Sequence, residues 1–146
     1  MQAVILAAGR GTRMNELTAS VPKPMLTVHG KTLIEHKLDI LPPEVEEVIF
    51  IIGYQGEVIR EKFGETYNGK RVTYVEQMHL DGTAGALWLA ATLLTNRFLV
   101  MMGDDMYSTD DIASCIASPD WSLLLMKTDS MGVGGKMVVD EHDKVI

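Results

Sequence analysis

Residues 2–14 read QAVILAAGRGTRM, and this stretch decides the fold. Every residue from Ala3 to Ala8 is apolar, which is typical of a strand buried on both faces of a parallel sheet. Gly9 and Gly11 follow at once, and glycine lets the backbone turn with positive φ and lets a ligand approach main-chain N–H groups. The stretch therefore predicts a buried strand whose carboxyl end opens into a ligand-binding loop.

The side chains that follow this strand are suited to phosphate. Arg10, Arg13 and the hydroxyl of Thr12 lie in the loop, and Lys23 follows in the segment PKPM, residues 22–25. Arginine, lysine and main-chain amides at the carboxyl end of a strand are typical of polyphosphate sites. Two common phosphate motifs are excluded, because Met14 stands where a dinucleotide fingerprint needs its third glycine and no Gly-Lys-Ser/Thr is present.

Composition narrows the class of ligand. A length of 146 residues suits about one domain, and the net charge of −7 argues against nucleic acid or an anionic membrane as a partner. Residues 1–34 nevertheless carry four basic side chains against Glu16 alone, a local charge of +3, which favours a small anionic ligand. Cys115 is the single cysteine, no apolar run approaches the roughly 18 residues of a membrane span, and no leader opens the chain, so a cytoplasmic protein is expected.

Strand and helix patterns alternate along the whole chain. Alternation of this kind predicts an α/β fold, a three-layer sandwich with a mostly parallel central sheet and helices on both faces. The helix over 81–94, capped by Asp81, is nearly all apolar and is expected to be buried, and residues 66–70 are expected to form a polar loop. Strands are predicted over residues 2–8, 45–52, 71–77, 97–102, 121–126 and 133–139, and helices over residues 32–41, 57–63, 81–94 and 108–117.

Ligands of parallel α/β sheets bind at the carboxyl ends of the strands. The polar residues that follow the first, third and fourth predicted strands are Arg13, Gln77 and Asp104, respectively. Element order alone therefore brings them to one edge of the sheet.

The combination of LAAGRGTRM, residues 6–14, with PKPM resembles the nucleotide-sugar pyrophosphorylases, the nucleotidyltransferases that join a nucleoside triphosphate to a sugar 1-phosphate. The resemblance implies a Rossmann-like fold of the nucleotide-diphospho-sugar transferase type. It implies transfer of a nucleoside monophosphate to the sugar phosphate with release of pyrophosphate, and Mg²⁺ as cofactor. The expected partners are the two substrates, without nucleic acid or membrane, and assembly into a homo-oligomer is left open.

The resemblance also implies roles for individual residues. Arg13 would steady the departing pyrophosphate, Lys23 would contact the phosphates, Asp104 in Gly103-Asp104-Asp105 would hold Mg²⁺, and Gly135 would help seat the sugar. The amide of Gln77 would face the base, and because an amide both donates and accepts it suits uracil, thymine or guanine. The full set of implied nucleotide-binding residues is Leu6, Ala8, Gly9, Gly11, Thr12, Gln77, Gly82 and Thr83.

The resemblance covers the whole chain but only part of the family's length. Residues 1–146 are expected to be a nucleotide-binding domain, truncated or naturally short, that ends before the family's Glu-Lys-Pro sugar-phosphate segment and second metal aspartate. Such a chain would bind a triphosphate and Mg²⁺ yet turn over slowly or not at all. Two alternatives stay open: a phosphocholine cytidylyltransferase, which shares the opening motif, and a non-catalytic nucleotide-binding regulatory protein.

Overall fold

The computed structural model of the protein describes residues 1–9, 11, 21–79, 81–125, 137–142 and 144–145. No helix among these residues has the length and apolar character that a membrane crossing requires. The strands are β1 (Gln2–Leu6), β2 (Thr27–Val28), β3 (Lys31–Thr32), β4 (Glu47–Ile52), β5 (Thr66–Tyr67), β6 (Lys70–Glu76) and β7 (Phe98–Met102). The helices are α1 (Leu33–Ile40), α2 (Gly56–Phe63), α3 (Gly82–Trp88) and α4 (Thr109–Ala117), with a 3-10 turn at Lys23–Met25.

The central sheet has the strand order β5-β6-β4-β1-β7. Strands β6, β4, β1 and β7 run parallel, and only β5 is antiparallel. Every residue of β1 is buried because the strand has a hydrogen-bonded neighbour on each side and helices over each face. The predicted α/β fold with a mostly parallel sheet is confirmed.

Two cores lie on opposite faces of this sheet, as the alternation of side chains along a strand requires. Ala3 and Ile5 of β1 point toward a core built with α1, α2 and α4. Val4 and Leu6 point the other way, toward a smaller core that includes Ala86 of α3. The protein is therefore a three-layer sandwich.

Local sequence signals account for the starts of two helices. Thr32 and Ser108 both form capping boxes, with Glu35 and Asp111 respectively, at the starts of α1 and α4.

Two predictions about the strands and loops were wrong. Residues 66–70 are not a loop but a short hairpin from β5 into β6, turned by Asn68 and Gly69, both with positive φ. Residues 121–125 form no strand: these five residues are exposed, and none of the strand pairings in the described part of the chain includes them.

The prediction of a long buried helix over 81–94 was also wrong. Regular helix ends at Trp88, which is 79% exposed. Of the described residues of the segment, Ala86 and Ala90 are buried against the sheet, and Leu87 and Leu94 pack there only partly buried. The two alanines lie at i and i+4 on the side that faces the core, whereas Trp88, Leu89 and Leu93 are exposed. Asp81 occupies the N-cap position as predicted, but its carboxylate accepts a hydrogen bond from Gln77 and makes no capping bond to the helix.

The predicted strand over 133–139 lies mostly outside the described residues. Within the described part, Val139 pairs with Val145 in a single antiparallel bridge.

Candidate active site

A cavity of about 500 Å³ opens at the carboxyl ends of β1, β6 and β7. Its size lies within the usual range for small-molecule sites, roughly 300–1,000 Å³. Its lining residues are Leu6, Ala7, Ala8, Gly9, Gly11, Lys23, Pro24, Gln77, Gly82, Thr83, Ala86, Met102 and Asp104.

The register of the sheet explains why distant residues meet here. Leu6 of β1 lies opposite Met102 of β7 and Ile51 of β4, and Ile52 lies opposite Glu76 of β6. If the same register is continued two residues beyond Leu6, Ala8 falls in one row with Gln77 and Asp104. The strands end together, so their following residues form one edge.

Most of the residues singled out from the sequence line this one cavity. They are Leu6, Ala8, Gly9, Gly11, Lys23, Gln77, Gly82, Thr83 and Asp104. Arg13, Thr12 and Gly135 lie outside the described residues, so their roles stay predictions.

Lys23 and Asp104 form an ion pair inside the cavity, with 2.6 Å between Lys23 Nζ and Asp104 Oδ2. The segment PKPM explains the position of the lysine, because Pro22, Pro24 and Met25 are buried while Lys23 is only partly so. The three buried residues hold a tight turn, which is closed by a hydrogen bond from Met25 N–H to Pro22 O. The side chain of Lys23 lines the cavity. Among the described residues, this end of the cavity holds one cation and one carboxylate, both about a third exposed.

Gln77 marks the other end. Its side chain is buried, and its Nε2 donates to Asp81 Oδ1 at 2.7 Å. Asp81 packs over Gly85, where a Cβ atom would overlap the carboxylate. Gly82 begins α3 with a φ of +92°, a conformation that L side chains rarely adopt, so this turn into the helix requires glycine. The amide of Gln77 is thereby held in one orientation beside the first turn of α3.

The two ends are three strand positions apart, from β6 across β4 and β1 to β7. At the usual spacing between strands this is about 14 Å. The geometry therefore fits an elongated ligand with a hydrogen-bonding group at the Gln77 end and negative charge at the Lys23 end.

The donor set at Asp104 suits magnesium better than a transition metal. No group of three or more histidine, cysteine or acidic side chains that could hold a metal is found in the described part of the chain. Mg²⁺ keeps several waters and usually takes one or two protein carboxylates together with substrate phosphates. A single partly exposed carboxylate at a strand end fits that coordination, and Asp105, which is exposed, lies beside it.

One residue near the site was missed from the sequence. Lys37 of α1 is completely buried, and its Nζ donates to Leu33 O at 3.1 Å and to Gly103 O at 3.0 Å. Burial lowers the pKa of Lys37 to about 8, against the opposing influence of Asp104 and Asp105. Helical spacing could have revealed it, since Ile34, Lys37 and Leu38 lie at i, i+3 and i+4 on the same buried face.

Gly103 is required where β7 turns into the site. A Cβ atom on this residue would lie 2.6 Å from Leu6 O and 2.9 Å from Pro24 Cγ. Because one of these neighbours is backbone, we expect Gly103→Ala to lower the free energy of unfolding by about 1–3 kcal/mol. Chemical denaturation measures this. Gly9→Ala is the matched control, since its Cβ would meet nothing within 4 Å. Equal stability of the two variants would contradict the prediction.

Comparison with known proteins agrees with the fold and with the opening motif. The profile of the nucleotidyl transferase family matches residues 2–120, most of the chain. The chain belongs to the nucleotidyl transferase family. The resemblance inferred from LAAGRGTRM and PKPM is thereby confirmed at the level of the family.

Individual relatives can be aligned with this chain over most or all of its length. It is 33% identical to the bifunctional protein GlmU of Methanococcus aeolicus over 147 residues, 100% of this chain and 35% of the relative. It is 35% identical to the UTP–glucose-1-phosphate uridylyltransferase AglF of Haloferax volcanii over 111 residues, 75% of this chain and 46% of the relative. The chain thus spans about a third to a half of the length of these relatives.

A solved structure gives the same result for the fold. The inositol-1-phosphate CTP transferase from T. maritima superposes with a TM-score of 0.66 at 25% identity, covering 82% of this chain and 49% of the other. This match and AglF name different nucleotides, CTP and UTP. Membership of the family therefore leaves the nucleobase of this protein open.

Proposed function

We propose that residues 1–146 form the nucleotide-binding domain of an enzyme that transfers a nucleoside monophosphate from a triphosphate to a sugar 1-phosphate, forming a nucleotide sugar. The observation that carries this proposal is the Lys23–Asp104 ion pair at 2.6 Å, in the same cavity as the glycine-bearing end of β1 and Gln77. A single elongated ligand can contact the ion pair, the end of β1 and Gln77 at the same time. A cytoplasmic location, where nucleoside triphosphates are abundant, is part of the proposal.

The chemistry asks mainly for placement and charge neutralisation. An oxygen of the sugar phosphate bonds to the α-phosphorus of the triphosphate, and the bond from that phosphorus to the pyrophosphate oxygen breaks. A phosphate monoester has a second pKa of about 6, so the nucleophile is already largely dianionic and needs no general base.

Each residue has a proposed role that follows from its place in the site. Lys23 offers three donors to the phosphates, and Arg13 is the proposed partner of the departing pyrophosphate. Asp104 would hold Mg²⁺, which when bound supplies charge neutralisation at the phosphates. The backbone at Ala8, Gly9 and Gly11 would contact the nucleotide, and Gly135 would contact the sugar.

Gln77 is proposed to read the base. Its Nε2 donates to Asp81, so its Oε1 can accept from the ring N–H that uracil, thymine and guanine present and cytosine lacks. Gly82 and Thr83 lie on the same side of the cavity and would complete this end of the pocket.

A titration of the purified protein with UTP, dTTP, GTP and CTP, each with and without Mg²⁺, tests the proposal. A ligand that binds only the folded state raises the melting temperature, so we expect at least one triphosphate to raise it, and more so with Mg²⁺. Pyrophosphate release with a panel of sugar 1-phosphates and phosphocholine then separates a sugar enzyme from a cytidylyltransferase. Absence of any shift with all four triphosphates would overturn the proposal.

A further inference from the structure

Lys37 is a buried cation that the proposed chemistry does not use. Its side chain is 0% exposed, and within the described part of the chain it makes no ion pair. Taking an ammonium group out of water costs free energy unless other contacts offset the loss. Lys37 is also absent from the cavity lining, and its Nζ donates to two main-chain carbonyls.

The two hydrogen bonds of Lys37 join different parts of the fold. The bond to Leu33 O stays within α1, one helical turn away. The bond to Gly103 O crosses to the carboxyl end of β7. Lys37 is thus a direct link between α1 and the turn that carries Asp104.

Both polar main-chain groups of Gly103 are therefore hydrogen-bonded. Its N–H donates to Leu6 O at 2.9 Å, and its carbonyl accepts from Lys37 at 3.0 Å. Because the peptide bond is planar, the orientation of this carbonyl also sets the N–H and Cα of Asp104. Without a Cβ atom, Gly103 would otherwise leave the turn more conformational freedom than any other residue would.

We propose that Lys37 is a positioning residue that fixes the Gly103 carbonyl and so aims the Asp104 carboxylate at the metal of a bound metal–nucleotide complex. This inference rests on the proposed function. It assigns to α1, on the far side of the turn from the cavity, a part in metal binding.

The test compares Lys37→Met with Lys70→Met in the purified protein. Methionine keeps an unbranched side chain of similar length and removes the ammonium group with both of its hydrogen bonds. Lys70 is the matched control, because its Nζ also donates to two main-chain carbonyls, Pro42 O at 3.0 Å and Val45 O at 2.7 Å, at the opposite end of the sheet. Both variants lose a lysine that is bonded only to backbone, and only one of them lies near Asp104.

The measurement is Mn²⁺ binding in the presence of saturating nucleotide, followed by electron paramagnetic resonance, since Mn²⁺ accepts the same oxygen ligands as Mg²⁺. Loss of a group that orients a metal ligand typically costs 10–100-fold in metal affinity, so we expect Lys37→Met to weaken Mn²⁺ binding about tenfold. Lys70→Met should change it by less than about twofold, because distant sites act independently. Nucleotide affinity measured in EDTA should stay within about twofold of wild type in both variants, a result that a general loss of structure would not give.

Each outcome has a distinct meaning. Wild-type protein that binds no Mn²⁺–nucleotide complex would overturn the proposed function itself. Wild-type protein that binds it, with Lys37→Met binding equally well or Lys70→Met impaired to the same extent, would overturn only the role of Lys37.

A second measurement needs no substitution and covers the case in which Lys37→Met does not fold. In protein labelled with ¹³C at lysine side chains, Mn²⁺ bound with nucleotide should broaden the signals of Lys37 and Lys23 and spare that of Lys70. A sharp Lys37 signal under these conditions would place the metal away from the Gly103–Asp104 turn and overturn the inference.

Discussion

Asp104→Asn should weaken the binding of Mn²⁺ to the protein–nucleotide complex by about a hundredfold or more, because loss of groups that merely support a ligand already costs 10–100-fold. The substitution keeps the size of the side chain and removes the negative charge that a hard cation requires. It also leaves Lys23 without its partner at 2.6 Å. Calorimetric titration of Mn²⁺ into protein with saturating nucleotide measures the change.

Asp105→Asn is the matched control for this result. Asp105 is the next residue of the same turn, carries the same charge and is exposed, and it does not line the cavity. We expect its replacement to change Mn²⁺ affinity by no more than about threefold, the scale of a screened surface charge. If Asp105→Asn reduced binding as much as Asp104→Asn, the assignment of Asp104 as the metal ligand would be wrong.

Much of the fold was predictable because β1 has an unambiguous pattern. A run of apolar residues from Ala3 to Ala8 can be satisfied only by burial on both faces, and β1 does lie between β4 and β7. Parallel strands then bring their carboxyl ends together, so Gln77 and Asp104 could be assigned to one edge from element order alone. The cavity that they share is a consequence of register rather than of any local motif.

The errors came from residues whose environment depends on partners remote in sequence. The helix after Asp81 is apolar all round, and hydrophobicity alone cannot tell that, among the described residues of the segment, only Ala86 and Ala90 are fully buried. Asp81 does lie at the N-cap position, but the contact of its carboxylate with Gln77, in place of a capping bond, is not visible in the sequence. Lys37 was overlooked for the converse reason, because a charged residue on a core-facing stripe is rarely expected to be fully buried.

Lys23→Met should have opposite effects on two binding equilibria. The ammonium of Lys23 lies 2.6 Å from Asp104 Oδ2, so the lysine and a free cation would compete for the Asp104 carboxylate. Both side chains are about a third exposed, and ion pairs of this kind contribute up to about 1 kcal/mol, so removing the lysine should strengthen the binding of Mn²⁺ alone about threefold. The nucleotide, however, loses a charged donor.

The loss of nucleotide affinity should be the larger effect. Hydrogen bonds to charged groups contribute about 1.5–3 kcal/mol, so we expect Mn²⁺–nucleotide affinity to fall about thirtyfold in Lys23→Met. Lys31→Met is the matched control, because Lys31 forms an ion pair of the same length, 2.6 Å, with Asp39 on the surface away from the cavity. It removes one positive charge from the protein and should leave both equilibria within about twofold.

Opposite changes in the affinities for free Mn²⁺ and for nucleotide would distinguish a lysine that contacts both Asp104 and the phosphates from a lysine that contacts only one of them. If Lys23 served only to neutralise Asp104, its removal would strengthen the binding of free Mn²⁺ and leave the nucleotide unaffected. A lysine that only attracted phosphates would give the reverse pattern, with free Mn²⁺ affinity unchanged. Strengthened metal binding together with weakened nucleotide binding is expected only if one ammonium group serves both partners, as its ion pair with Asp104 inside the cavity implies. Metal and triphosphate would then enter the site together, since the phosphates draw Lys23 away from the carboxylate that the metal needs.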